Sequence, residues 1–135
     1  LKWSNAMAFL TKVAVLSAGL ALSAAAFADN LVGNWQTYED GQPKAVVKIS
    51  ENGGTFTGVV VSGNTEKAKA HVGKTVITGL KANGGGKYSG GKITDPVSGK
   101  TYSLSATLNG NTLNLKGGYK VAGKVVGRSQ TWKKQ

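Results

Sequence analysis

The feature of this chain that most restricts its fold is its punctuation. From residue 31 onward, short segments alternating apolar and polar residues are cut by glycine-centred turn signals, and no stretch carries the spacing of a convincing helix. Glu39-Asp40-Gly41-Gln42-Pro43, Glu51-Asn52-Gly53-Gly54, Asp95-Pro96-Val97-Ser98-Gly99 and Asn109-Gly110-Asn111 are turn chemistry. In such stretches glycine supplies positive φ and proline cannot donate to a ladder. The segments between them are strand candidates: residues 31–38, 44–50, 55–62, 75–80, 87–94, 101–108, 112–118 and 125–133. The cleanest alternation sets Tyr102, Leu104, Ala106 and Leu108 on one face against Ser103, Ser105 and Thr107 on the other.

Gly90 and Gly91 fall inside one strand candidate and predict a bulge or sharp bend. Residues 63–74 are the least regular; within them 65–70 fits either one turn of helix or a polar loop. Every other link is short enough to join antiparallel neighbours. The expected fold is therefore all-β: a small up-and-down antiparallel barrel of about eight strands. Such a barrel is just wide enough to be filled by side chains or to hold one small ligand.

The N-terminal stretch reads as an address. The apolar run 13–25 follows Lys12 and precedes Ala26-Phe27-Ala28, the small residues a signal peptidase requires. It falls short of the roughly 20 residues of a membrane span, and nothing later approaches that length. The expectation is a signal peptide over 1–28, with Met7 as initiator and cleavage after Ala28. Residues 29–135 then form one barrel domain, periplasmic or secreted and monomeric. The chain has no cysteine, so this domain rests on its core and ladder hydrogen bonds, without disulfides or thiolate metal sites.

Residues 29–135 carry 15 Lys+Arg, all but Arg128 lysines, against 6 Asp+Glu. A charge of that size attracts polyanions. Specific nucleic-acid binders interleave arginine and exposed aromatics with lysine. That pattern is missing here, so no specific nucleic-acid partner is expected. Lysines spread from Lys44 to Lys134 fit sheet-edge protection and solubility better than a dedicated polyanion site.

Gly33-x-Trp35, Gly90-Gly91-Lys92-Ile93-x-Asp95-Pro96-x-x-Gly99-Lys100-x-Tyr102 and the closing Gly127-Arg128-Ser129-Gln130-Thr131-Trp132 resemble the DUF2147 family. The resemblance spans residues 29–135 and implies a small exported bacterial protein with a lipocalin-like barrel. Some relatives carry a cysteine pair where this chain has residues 63–74, so redox chemistry does not carry over.

In lipocalins the tryptophan of a Gly-x-Trp element plugs the closed end, and a basic residue from the last strand packs across it. By that resemblance Trp35 and Arg128 would take these places. Parity offers a second role. Val126, Arg128, Gln130 and Trp132 share one face of the last strand. If that face points inward, Arg128 and Gln130 could hold the acidic head of a small hydrophobic or amphipathic ligand, since a buried guanidinium needs an anion. Trp35, Val47, Ile49, Phe56, Tyr102, Leu104, Leu115 and Trp132 would then line the cavity.

Catalytic patterns are missing. His71 is the only histidine, read as solvent-facing, with no partner for a transition-metal site. Gly73-Lys74-Thr75 and Gly99-Lys100-Thr101 echo a phosphate loop but lack its earlier glycine, with Ala68 and Thr94 in those places. No enzyme, metal or cofactor is expected. Two readings follow: a binding module using the barrel interior, or a filled barrel whose basic exterior meets lipopolysaccharide, anionic lipid or another protein. Interior volume separates them.

Overall fold

The computed structural model describes residues 31–135; the segment read as a signal peptide lies outside them. Eight antiparallel strands close into a barrel in chain order. They are β1 (Gly33–Glu39), β2 (Gln42–Asn52), β3 (Thr55–Gly63), β4 (Thr75–Gly84), β5 (Lys87–Thr94), β6 (Thr101–Asn109), β7 (Thr112–Val121) and β8 (Lys124–Lys134). A short helix, α1 (Glu66–Lys69), follows β3. Between the two sequence readings of that stretch, the helix prevails. Thr65 caps it by accepting from the Ala68 amide at 3.1 Å, and Ala68 is buried in the barrel core. Gly63 makes this approach feasible, because a Cβ there would run into the backbone of Ala68 and Lys69.

The interior is built from the inward half of each alternation. Trp35, Ile49, Phe56, Ile77, Leu80, Leu104 and Leu113 are the largest fully buried members. Phe56 and Tyr88 meet edge to face, with centroids 5.4 Å apart. Small residues are set against large ones across neighbouring strands. A Cβ on Gly58 would come within 3.0 Å of Val47 Cγ1, one on Gly91 within 2.9 Å of Leu80 Cδ1, and one on Gly117 within 3.0 Å of Ile93 Cγ2. These glycines are spaces already taken by neighbours, the mark of a close-packed interior. Gly90, at φ +75°, sits where the β5–β6 register shifts between Tyr88 and Gly91, so the expected bulge is present.

Several strands run further than their sequence signals, β4 and β7 most at their C-terminal ends. β4 continues through Lys81 to Gly84, past the end of the strand candidate 75–80. β7 continues to Val121, and the link to β8 is the two-residue turn Ala122-Gly123, with φ +51° and +81°. Positive φ at both positions is the type I′ geometry that matches strand twist. Alanine gives no sequence hint of it.

Closure is uneven. β8 pairs with β7 along its whole length, from Thr112 opposite Lys133 to Val121 opposite Lys124. It pairs with β1 at two positions alone: Trp35 opposite Lys134 and Gln36 opposite Lys133. Beyond that point β1 and β8 part. Gln36 helps hold this end, its buried amide nitrogen donating to Ala45 O at 2.9 Å and Asn64 Oδ1 at 2.8 Å.

Candidate functional site

At the closed end, Trp35 is fully buried and its indole nitrogen donates to Leu31 O at 2.9 Å. The cation across its ring is Lys134, with Nζ 5.5 Å from the centroid, and not Arg128 as the lipocalin resemblance implied. The register explains this correction. Lys134 is the residue directly opposite Trp35, whereas Arg128 pairs with Gly117, six residues back along β8. Gly33 clears the path, since a Cβ there would come within 3.1 Å of Lys134 Cε. Lys134 Nζ also donates to Val32 O at 3.1 Å.

The residues named as cavity lining divide into two groups. Trp35, Val47, Ile49, Phe56, Leu104, Leu115 and Trp132 are packed together in one buried cluster. Arg128, Gln130 and half-buried Tyr102 lie further up the same inward face. Opposite pairs Leu113–Trp132, Leu115–Gln130, Gly117–Arg128 and Tyr119–Val126 climb this face in order. Because β1 has parted from β8 here, Arg128 and Gln130 face solvent. Gln130 Oε1 accepts from Trp132 Nε1 at 3.1 Å, so part of its hydrogen-bonding capacity orients the indole. Tyr102 and Tyr119 stack edge to face with centroids 6.0 Å apart. Tyr119 and Val126 remain 71% and 57% exposed, large apolar side chains at the hairpin tip without a cover.

The outer face of the same strands carries a groove of about 470 Å³ that sequence reasoning did not locate. Ser105, Lys116 and Ser129 lie side by side across β6, β7 and β8. Asn114 sits below them, and Lys120 and Lys124 come from the hairpin tip. The tip reaches over this face because the ribbon is pinched at Gly118 and Gly127, where each residue's backbone occupies the space a Cβ on the other would need. Among the described residues, ion pairs join Lys44 to Glu39 and Lys69 to Glu66; the groove lysines have none.

One signal could have found this surface. The six acids of the chain are Asp29, Glu39, Asp40, Glu51, Glu66 and Asp95, so nothing after Asp95 is an Asp or Glu. The same stretch holds Lys100, Lys116, Lys120, Lys124, Arg128, Lys133 and Lys134. The lysines are scattered, but the acids are not, and β6–β8, three of the eight strands, carry one sign of charge.

Asp95 closes that boundary structurally. Its Oδ1 accepts from the Val97 amide at 2.8 Å, and this bond, aided by Ser98, holds its carboxyl below the usual range against a smaller opposing effect of burial. The Tyr88 hydroxyl is pushed up by burial and then by the nearby Glu51 charge. His71, read as solvent-facing, is half-buried, and its Nδ1 is covered without a hydrogen-bond partner.

Residues 33–134 match the model of a family described as an uncharacterized protein conserved in bacteria, DUF2147. No curated protein matches the chain. Among solved structures, the chain is similar to protein HP1028 from the human pathogen Helicobacter pylori, described as belonging to the lipocalin family. The two are 25% identical with a TM-score of 0.62, over 78% of this chain and 82% of that one.

Proposed function

We propose that this chain, which belongs to the DUF2147 family, is an exported, non-catalytic binding protein that holds a phosphate-bearing glycan of the lipopolysaccharide type. The site is the outer groove of β5–β8. The lipocalin-like fold supports a binding role, and the apolar run 13–25 with Ala26-Phe27-Ala28 supports export.

The observation that carries this reading is the chemistry of the groove. Lys116, Lys120 and Lys124 supply unpaired cations, Ser105, Asn114 and Ser129 supply hydroxyl and amide groups, and no carboxylate side chain lines the space. Ammonium groups suit phosphate, and short hydroxyl and amide side chains suit sugar hydroxyls. The packed barrel weighs in the same direction, because a ligand inside it would have to displace Trp35, Phe56 and Leu104.

Each lysine near an anionic surface contributes about 1 kcal/mol, so replacing all three with glutamine should weaken binding about a hundredfold. Calorimetry with the phosphorylated core oligosaccharide of lipopolysaccharide measures this directly. Equal affinity of the wild type and the triple variant would reject the groove.

A second reading draws on Arg128, which is exposed on the inward face near the Tyr102–Tyr119 pair, with Gln130 one step below it. These residues could hold the acidic head of an amphipathic molecule lying in the gap between β1 and β8. Native mass spectrometry of protein purified from its own envelope without detergent tests it. A bound mass of a few hundred daltons that is lost in Arg128→Ala would favour this site over the groove.

A further inference from the structure

The parting of β1 from β8 leaves more than a gap. It leaves a strand edge, and the hydrogen bonds at the closed end show which of its groups are unpaired. The Lys134 amide donates to Asn111 O at 2.9 Å, on the β7 side, while the Gln135 amide donates to Asn34 O at 3.0 Å, on the β1 side. Successive residues of a strand point their backbone groups to opposite sides. The β7–β8 register runs without a shift from Lys133 to Lys124. Odd-numbered residues of β8 therefore aim N–H and C=O away from β7. Lys133 uses this side to pair with β1. Val125, Gly127, Ser129 and Thr131 have no strand opposite them among the described residues.

We propose that the free edge of β8, residues 125–131, is a strand-addition site for an extended acidic segment of a partner protein. A free edge is a template for another strand, and natural edges are guarded by charge against their own kind. Here Lys124 and Arg128 lie on the edge strand, with Lys116 and Lys120 on β7 behind it and no acid anywhere on β6–β8. Two copies meeting edge to edge would bring these cations together, which disfavours a dimer. An incoming strand with glutamate or aspartate opposite Arg128 is attracted by the same charges. Its alternate apolar side chains would cover Val126 and Tyr119, now mostly exposed. This inference rests on the edge-facing backbone of β8 and not on the lysine, serine and asparagine side chains that carry the glycan groove, although Val125 and Ser129 border both.

The test uses residues 29–135 and a capped peptide alternating glutamate and valine, long enough to pair with 125–131. Amide hydrogen exchange followed by NMR should slow at Val125, Gly127, Ser129 and Thr131, with Arg128 and Gln130 little changed. Methylating alternate peptide nitrogens, which removes donors and leaves charge intact, should weaken binding about tenfold. Ser129→Pro removes an outward donor that the β7 ladder does not use, and should weaken binding to a similar degree; if it fails to fold, the methylated peptide decides. Equal binding of methylated and unmethylated peptides would overturn the proposal, since charge alone would then suffice. Protection of the odd residues that rises with protein concentration in the absence of peptide would also overturn it, because a second copy would then own the edge.

Discussion

The assignment of Lys134 to the tryptophan plug can be tested by a double-mutant cycle. Lys134→Met keeps the aliphatic stem over Gly33 but removes the charge that lies 5.5 Å from the Trp35 ring and donates to Val32 O. At a partly exposed site the cation–ring attraction is about 0.5–1 kcal/mol, and a hydrogen bond that water can replace adds about 0.5. The expected loss is therefore about 1–1.5 kcal/mol, which lowers the melting temperature by roughly 4–12 °C in a domain of this size. Arg128→Met removes an exposed charge that makes no ion pair, and should stay within about 0.5 kcal/mol. Trp35→Leu strips the ring from a fully buried site and should cost about 3 kcal/mol, leaving a measurable transition in a domain of ordinary stability.

The coupling then separates the two cations. Trp35 with Lys134 should show about 0.5–1 kcal/mol of interaction, whereas Trp35 with Arg128 should be additive within about 0.3 kcal/mol. Urea denaturation followed by circular dichroism measures all the variants without relying on tryptophan emission. If Arg128→Met is the costlier single change, or if the coupling lies with Arg128, the register argument for Lys134 is wrong.

Other expectations concern the packing and the loop that borders the basic strands β6–β8. Gly91→Ala places a methyl group within 3.0 Å of the Leu80 backbone, so it should destabilise the barrel by about 1–3 kcal/mol in urea. A neutral result there and at Gly58 would mean that the interior has slack and could admit a ligand. Asp95 should titrate below the ordinary aspartate value of about 3.9 in a carbon-detected NMR titration. A depressed carboxyl stabilises the fold above its unfolded pKa, and this support fades as pH falls through the folded value. The 95–100 loop should thus stay ordered from neutral pH to about pH 5 and loosen below about pH 4; a midpoint at or above the ordinary value would remove this role.

Much of the architecture was legible because inward and outward residues differ chemically. Tyr102, Leu104, Ala106 and Leu108 marked β6, and the paired glycines marked the bulge in β5. The β7–β8 turn was hidden because Ala122 adopts positive φ without being a residue type that favours it. Arg128 and Lys134 have the same parity, so alternation could not choose between them; only the register with Trp35 does. The extent of closure was hidden for a related reason. The pattern of β8 would read the same with β1 beside it or absent, and the missing partner shows only as solvent on Arg128 and Gln130. The acid-free stretch after Asp95 was in plain view, but a search for clustered lysines passes over it. Alternation shows which residues face inward but not how closely they pack; the packing shows only in the structure, where Gly58, Gly91 and Gly117 yield their space to neighbours.

The central claim is that the barrel is filled and that binding takes place on the outer face of β5–β8. An NMR titration of nitrogen-labelled residues 29–135 with the phosphorylated core oligosaccharide tests it most directly. The account predicts saturable shifts at Ser105, Asn114, Lys116, Lys120, Lys124 and Ser129, weakened by salt as exposed charges are screened over about 8 Å at physiological strength. Shifts centred instead on Tyr102, Arg128, Gln130 and the buried Leu104 would contradict it and put the ligand on the inward face.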